Sequence, residues 1–207
     1  MEIEYKGATG LFIKSNLINI TVDPKLSLVG LKDIKVTDTL EVVTDTAFAV
    51  DAGQKILIDG PGEYEVSRVS VKGIAAKRYR DDSGNKFTMY RLEISSFRVA
   101  IIGHCSDVLD ERQLEEIGVV DLLVVPVGGN SYTLDAHQAA KIVNQIDPRI
   151  VIPVHYADKA IKYDVDQDDL SGFLKELGAQ EHEVVDKLKL KNGIVPTVRT
   201  VYEIRRS

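Results

Sequence analysis

Four residues of this sequence have side chains suited to metal or nucleophilic chemistry and follow apolar runs of the chain: His104, Cys105, Asp107 and His155. The first three come after the run that ends at Ile102, and the last comes after the run that ends at Val154. Imidazole, thiolate and carboxylate groups are accepted ligands of zinc and iron. If both runs are strands of one parallel sheet, the two histidines project from the same edge of it.

Each of these residues also has an ordinary structural interpretation. Cys105 is as readily a small buried hydrophobic residue as a metal ligand, and adjacent side chains such as His104 and Cys105 often diverge. His155 is expected to hydrogen-bond to a neighbouring loop, because a metal needs several converging donors. Cys105 and His155 could instead form a nucleophile and base, although the sequence indicates no third group to orient them.

The second half of the chain alternates buried strands with helices. Continuous apolar runs, typical of strands buried on both faces, occupy residues 97–102, 122–125 and 150–154. Asp110 and Asp135 each begin a helix with a capping-box pattern, and a further helix is predicted from Asp168 to Leu177. Strand, helix and strand at this spacing predict right-handed crossovers and a parallel segment of sheet.

The first half of the chain is predicted to consist of hairpins. Two apolar runs, 11–14 and 17–22, flank a tight turn at Ser15-Asn16, and residues 55–59 form a short strand that Gly60-Pro61-Gly62 ends. Two further strands are predicted over residues 68–74 and 87–94, and residues 187–190 and 197–204 close the chain in strands.

Composition predicts the class of protein. With 207 residues, 44% hydrophobic and 28% charged, the chain is predicted to form one domain over residues 1–207. A net charge of −6 with scattered basic residues makes nucleic acid an unexpected partner. The single cysteine fits a reducing compartment, and the apolar runs are too short for a bilayer, so we predict a cytoplasmic protein without a membrane partner.

Four parts of the sequence are distinctive together: Gly60–Val66, Gly103, Pro126–Gly129 with residues 132–136 behind it, and Val151–Tyr156. They resemble the metallo-β-lactamase superfamily, and within it the small metal-dependent hydrolases called lactonase-like. The resemblance implies a single α/β domain that forms a four-layer αβ/βα sandwich, with the site at one edge of the two sheets. Cys105, Gly128, Gly129 and Tyr156 follow the ends of predicted strands and are expected around that cleft.

The same resemblance shows what the sequence has lost. The superfamily signature is His-x-His-x-Asp-His after a strand, and its positions are held here by Asp45, Ala47, Ala49 and Val50. Alanine and valine have no donor atoms. The further histidine of the superfamily is missing around residues 77–79, and its bridging aspartate is replaced by His104, so only His155 matches.

We therefore predict a superfamily member with a degenerate metal site that acts by binding a small acidic metabolite or a protein, or as a structural subunit. No metal is expected. The alternative is a divergent hydrolase of esters, lactones or phosphodiesters that holds zinc or another divalent metal through His104, His155, Asp45 and Asp59. It fails if the two histidines lie more than about 7 Å apart. Asp51 also belongs to the expected cleft mouth, and a homo-oligomer is compatible with either function.

Overall fold

The chain folds into two β-sheets that pack face to face. The computed structural model describes residues 1–50, 53–77, 86–105, 109–191 and 193–207. Across the first sheet the strands are β13 (Leu188–Lys189), β1 (Glu2–Gly7), β2 (Gly10–Lys14), β3 (Ile20–Val22), β4 (Leu40–Val42) and β5 (Ile56–Ile58). Across the second they are β12 (Glu181–Val185), β14 (Thr200–Ile204), β11 (Ile150–Val154), β10 (Leu122–Pro126), β9 (Phe97–Ile101), β8 (Lys86–Ile94), β7 (Val69–Lys77) and β6 (Gly62–Val66).

Both sheets are mixed, and each has a parallel part. In the eight-stranded sheet β12, β14, β11, β10 and β9 run parallel, whereas β9 to β6 form an antiparallel meander. In the six-stranded sheet β3, β4 and β5 are parallel. The continuously apolar runs of the sequence form the central parallel strands β9, β10 and β11, which are covered on both faces. Their carboxyl ends open toward one edge of the sandwich.

Three α-helices occur among the described residues, and all contribute side chains to the outer face of the eight-stranded sheet: α1 (Glu111–Ile117), α2 (Ala136–Ile146) and α3 (Leu170–Leu177). Asp110 and Asp135 begin α1 and α2 with complete capping boxes, as their sequence pattern predicts. Asp147 ends α2 in the left-handed conformation just before Pro148, and Gly178 ends α3 in the same way.

Three apolar clusters hold the layers together. The largest lies between the two sheets, a second lies between the eight-stranded sheet and the helices, and a small one covers the outside of the six-stranded sheet around Leu26 and Ile34. A buried hydroxyl also links the sheets, because Tyr90 on β8 donates to the carbonyl oxygen of Val43, just after β4, at 2.9 Å. Removing the ring or its hydroxyl would therefore affect both sheets.

The structure confirms the predicted α/β sandwich and the antiparallel pairing of β2 with β3. The turn is longer than predicted, because β3 begins at Ile20 and residues 15–19 make the connection. The sequence missed β12, which the polar stretch Glu181–Val185 forms by parallel pairing with β14. Residues 78–85, between β7 and β8 in the sequence, lie outside the described residues. None of the described helices has the length and hydrophobicity of a membrane-spanning segment.

Candidate functional site

His104 and His155 meet at the carboxyl edge of the eight-stranded sheet, as their positions after apolar runs predict. They follow β9 and β11, the two strands that flank β10. Their ring centroids are 4.8 Å apart, with the ring planes at 84°. Both residues are buried, at 3% and 2% relative exposure. A pair of buried imidazoles at a strand edge is a site for chemistry or for a ligand.

Close backbone contacts fix where the two histidines lie. Gly103 has φ +57°, and a Cβ there would lie 2.5 Å from the Phe87 ring, so only glycine lets the chain turn at this point. A Cβ on Gly128 would lie 2.2 Å from the carbonyl oxygen of His155. His155 itself has φ +55°, and its N–H donates to the carbonyl of Ala8 at 2.9 Å. The two sheets therefore share a backbone hydrogen bond at the site.

Aromatic rings surround the histidine pair. Phe48 packs on His104 with 5.4 Å between ring centroids, and Tyr132 lies 5.4 Å from His104 and 5.6 Å from His155. Tyr163 lies 4.5 Å from His155, measured between ring centroids. The rings form one continuous cluster. Phe48 comes from a loop of the six-stranded sheet, and the other rings come from loops of the eight-stranded sheet.

The opposite wall of the site contains a buried carboxyl group. Asp23 follows β3, and its two oxygens accept hydrogen bonds from Thr44 N at 2.7 Å and Thr44 Oγ1 at 2.8 Å. The Thr9 side chain also bonds to it. Burial raises the pKa of Asp23 to about 7, even though these donors favour the ionised form. A large part of Asp23 is therefore ionised near neutral pH, at a desolvation cost.

The loop of residues 45–50, which we call the β4 loop, is held at both ends by carboxylates. At its start Asp23 binds Thr44, and Asp45 accepts a hydrogen bond from Ala47 N at 2.9 Å. At its end the buried Glu41 accepts from Val50 N at 2.8 Å. Burial raises the pKa of Glu41. These bonds fix the loop that carries Phe48.

His155 is neutral at physiological pH. Its Nδ1 lies 3.0 Å from Oε1 of Gln167, whose amide nitrogen donates to the carbonyls of Val165 and Asp166. This network makes Gln167 Oε1 the acceptor, so His155 Nδ1 carries the proton. Burial lowers the pKa of His155 to about 4, more than the Gln167 hydrogen bond raises it. The neutral ring therefore keeps the lone pair on Nε2.

A cavity of about 190 Å³ opens between these walls. Most of its lining is apolar or aromatic, and its charged groups are Asp23, Lys25 and Asp164. The other lining residues are Ala8, Thr9, Leu26, Leu28, Val29, Ala47, Phe48, His104, Tyr132, His155 and Tyr163. Concave, mostly apolar walls with a few polar groups are typical of small-molecule sites.

The predicted cleft residues lie at different depths around this cavity. Cys105 is buried in the core beneath the helices, and Tyr156 packs on Tyr5 at a centroid distance of 6.1 Å. Gly128 and Gly129 contact the backbone and side chains behind the cavity rather than forming its lining. These four residues support the site from behind.

The predicted acidic residues do not converge with the histidines. Asp45 caps the turn that begins the β4 loop, and Asp59 is exposed after β5. Asp51, Asp107, Arg78 and Tyr79 lie outside the described residues. His137 and His182 are exposed and pair with Glu176 and Glu203.

Sequence reasoning missed Asp23, Tyr163 and Lys25. Asp23 carried a usable signal, because it is the polar residue directly after the apolar run that forms β3, the same rule that identified His104 and His155. Tyr163 and Lys25 lie in irregular segments, and only the packing of the loops brings them to the cavity. No local pattern marks such residues.

Comparison with known proteins identifies the family. The model of the beta-lactamase superfamily domain matches residues 2–155, from β1 through His155. The chain belongs to this superfamily. The match covers both sheets of the sandwich up to the second histidine, and with it the walls of the cavity as far as β11.

Within the superfamily the chain is similar to proteins of the UPF0173 group. It is 29% identical over 155 residues to a UPF0173 protein of Pyrococcus abyssi, a match that covers 74% of this chain and 62% of that protein's length. A UPF0173 metal-dependent hydrolase of Thermococcus onnurineus is 29% identical over 103 residues, which cover 47% of this chain and 44% of that protein. The matched region thus spans less than two thirds of these relatives.

A solved structure matches over almost the whole chain. It is a protein of Thermotoga maritima described as a Zn-dependent hydrolase of the metallo-beta-lactamase superfamily, with a TM-score of 0.77 and 26% identity over 99% of this chain and 98% of that one. The metallo-hydrolase Igni18 of Ignicoccus hospitalis shares the fold, with a TM-score of 0.59 and 19% identity over 86% of this chain and 90% of that one.

The superfamily implies a metal, so the residues at the cavity must be tested as ligands. A zinc site needs at least three protein donors within about 2.3 Å of the ion. The cavity offers His104, His155 and Asp23, but Asp23 already accepts bonds from Thr44 and Thr9. In the described ranges, no three His, Cys, Asp or Glu side chains are grouped to hold a metal ion. The donors of the described residues do not fit a catalytic metal.

Proposed function

We propose that this superfamily member binds a small molecule in the cavity and does not perform metal-dependent hydrolysis. The observation that carries the proposal is the composition of the β4 loop. Ala47 and Phe48 line the cavity, and the Phe48 ring packs on His104. In the alignment that the resemblance predicts, hydrocarbon thus occupies the position at which the superfamily signature supplies its second histidine.

His155 is compatible with a binding role. His155, the one clear match to the superfamily ligands, donates its Nδ1 proton to Gln167 and has its pKa lowered to about 4 by burial. It also contacts the rings of Tyr132 and Tyr163. Its free Nε2 lone pair can accept a hydrogen bond from a ligand, whereas as a metal donor it would lack, among the described residues, the further protein donors that zinc needs.

The alternative function is a divergent metal-dependent hydrolase. The names of the relatives favour it, because several are called metal-dependent hydrolases. The distance between the two histidines also satisfies the 7 Å criterion, since their ring centroids are 4.8 Å apart. This alternative requires Asp45 or Asp59 to move toward the histidines, or a donor outside the described residues.

Metal content separates the two functions. The protein is expressed with added zinc, manganese and iron, purified without chelator and measured by mass spectrometry. We expect far less than one metal per chain, and only background hydrolysis of ester, lactone and phosphodiester substrates. About one metal per chain that is lost in both His104→Ala and His155→Ala, together with metal-dependent hydrolysis, would overturn the proposal.

A cytoplasmic location and a homo-oligomer or protein partner remain predictions of the sequence. Sedimentation velocity over a hundredfold concentration range tests the homo-oligomer. If it forms, the sedimentation coefficient should rise with concentration or exceed that of the 22.9 kDa monomer.

A further inference from the structure

The cavity combines electron-rich rings with a buried carboxyl group. Phe48, Tyr132 and Tyr163 supply the rings, and Asp23 lies in the same cavity at 1% relative exposure. The face of an aromatic ring carries negative potential, and rings attract cations that approach within about 6 Å. Walls of this kind are used to hold alkylated ammonium groups.

We propose that the ligand of this cavity is a small organic cation of the quaternary or tertiary ammonium class, held against Phe48, Tyr132 and Tyr163 with Asp23 as its counter-ion. The inference rests on the proposed binding function and names its ligand. A cavity of about 190 Å³ is smaller than the roughly 300–1,000 Å³ of drug-sized sites, so the cation must be small.

The hydrogen bonds of Asp23 favour its ionised form, which would attract a cation. Thr44 N, Thr44 Oγ1 and the Thr9 side chain all bond to its oxygens, an arrangement that favours the ionised carboxylate. Burial opposes that charge and raises the pKa of Asp23 to about 7. A bound cation would compensate the buried charge, which the hydrogen bonds alone do only in part.

The balance of charge at the cavity favours a cation over an anion. Among the described residues that line it, Lys25 is the single lysine or arginine, whereas Asp23 and Asp164 are both acidic. The lowered pKa of His155 removes a further positive charge that an anion would need. Lys25 is therefore expected to weaken the binding of the cation and not to assist it.

Isothermal titration with choline and with its uncharged carbon isostere, 3,3-dimethylbutan-1-ol, tests the charge directly, because the two differ only in the central atom of the head group. We expect choline to bind at least about tenfold more tightly. Phe48→Leu and Asp23→Asn should each weaken choline binding by about three- to thirtyfold and leave the alcohol little changed. Lys25→Met should strengthen it. Asp59→Asn, an exposed carboxylate outside the cavity lining, is the matched control and should change neither affinity.

Each other outcome overturns the inference in a recognisable way. Equal affinities for choline and the alcohol would be compatible with the binding function but would refute a cationic ligand. Binding of benzoate but not choline, abolished by Lys25→Met, would make the ligand an anion. No binding of choline at millimolar concentration also refutes the ammonium ligand. Stoichiometric metal would refute the proposed function itself. Thermal unfolding of each variant shows whether it is folded. If Asp23→Asn does not fold, Lys25→Met still tests the charge of the ligand.

Discussion

Burial shifts the proton affinities of two residues at the cavity in opposite directions. It raises the pKa of Asp23 to about 7 from 3.8, and it lowers the pKa of His155 to about 4 from 6.5. Between about pH 4 and pH 6.5 the unfolded chain therefore carries one proton on the histidine, and the folded chain carries one on the aspartate. Because both states bind the same number of protons at these two groups, their effects on the pH dependence of stability cancel.

Single substitutions should expose the two opposed effects. In His155→Asn, only Asp23 remains, and the folded state binds the extra proton, so the free energy of unfolding should fall relative to wild type by up to about 1.4 kcal/mol per pH unit from pH 4.5 to 6.5. In Asp23→Asn, only His155 remains, and the unfolded state binds the extra proton. The free energy of unfolding should therefore rise with pH by a similar amount. Asparagine suits position 155 because its backbone is left-handed. Urea unfolding at pH 4.5, 5.5 and 6.5 measures these slopes.

The double variant provides the control for this pair. It should regain the wild-type pH dependence, since it lacks both groups. Parallel pH profiles for the wild type and the two single variants would show that the two pKa values are not displaced as the burial of these groups requires.

At the scale of elements, the site depends on how closely the ends of β10 and β11 approach. The carbonyl oxygen of His155 lies 2.2 Å from the position that a Cβ on Gly128 would occupy. The atom in the way is backbone, which cannot rotate aside as a side chain can. Any residue other than glycine must therefore push His155 away from its neighbours, Gln167 and Tyr163.

Gly128→Ala should therefore destabilise the protein by about 1–3 kcal/mol, the usual cost of forced overpacking. The substitution should also lower the affinity of the cavity for any ligand, because His155 is displaced. Gly60→Ala is the matched control, since no atom lies within 4 Å of the added Cβ and the backbone is not left-handed there. Urea unfolding measures both variants, and equal stability of the two would contradict the close approach.

The elements that could be predicted from the sequence are those whose signals are local. Asp110 and Asp135 start helices because their side chains accept hydrogen bonds from the backbone three residues on, an interaction encoded within four residues. The strand Glu181–Val185 could not be predicted, because three of its five residues are charged or histidine and its pairing partner β14 begins nearly twenty residues later.

The candidate site divides in the same way. His104 and His155 could be placed because each follows a continuous apolar strand, and parallel strands end at one edge of a sheet. The ring of Tyr163 reaches His155 through the folding of the loop after β11, and the carboxyl of Asp23 shares their cavity because the two sheets pack face to face. That contact between sheets has no signature in the spacing of residues along the chain.

At the scale of the whole molecule, the two sheets are joined near the site by a hydroxyl group. Tyr90 is 1% exposed, and its hydroxyl on the eight-stranded sheet donates to the Val43 carbonyl of the six-stranded sheet. Val43 directly precedes Thr44, which binds Asp23. The link therefore couples the packing of the sheets to the geometry of the cavity.

Tyr90→Phe should lower the free energy of unfolding by about 1–3 kcal/mol, because it removes a buried hydrogen bond and leaves the Val43 carbonyl short of a donor. Tyr64→Phe removes a hydroxyl that bonds to Gly60 and Pro61 at the exposed edge strand β6 and should change stability by less than about 0.5 kcal/mol. Chemical denaturation compares the two. A loss of stability in Tyr64→Phe as large as that in Tyr90→Phe would argue against the link between the sheets.

In the β4 loop, the residues that anchor the backbone differ from the residues whose side chains line the cavity. Asp23 and Glu41, which lie outside the loop, bind the backbone at its two ends, at Thr44 and Val50. The side chains of Ala47 and Phe48, which meet the cavity, take no part in that anchoring. Evolution can therefore exchange one chemistry for another at this edge through a few substitutions in six consecutive positions, while the anchors keep the backbone in place throughout the transition.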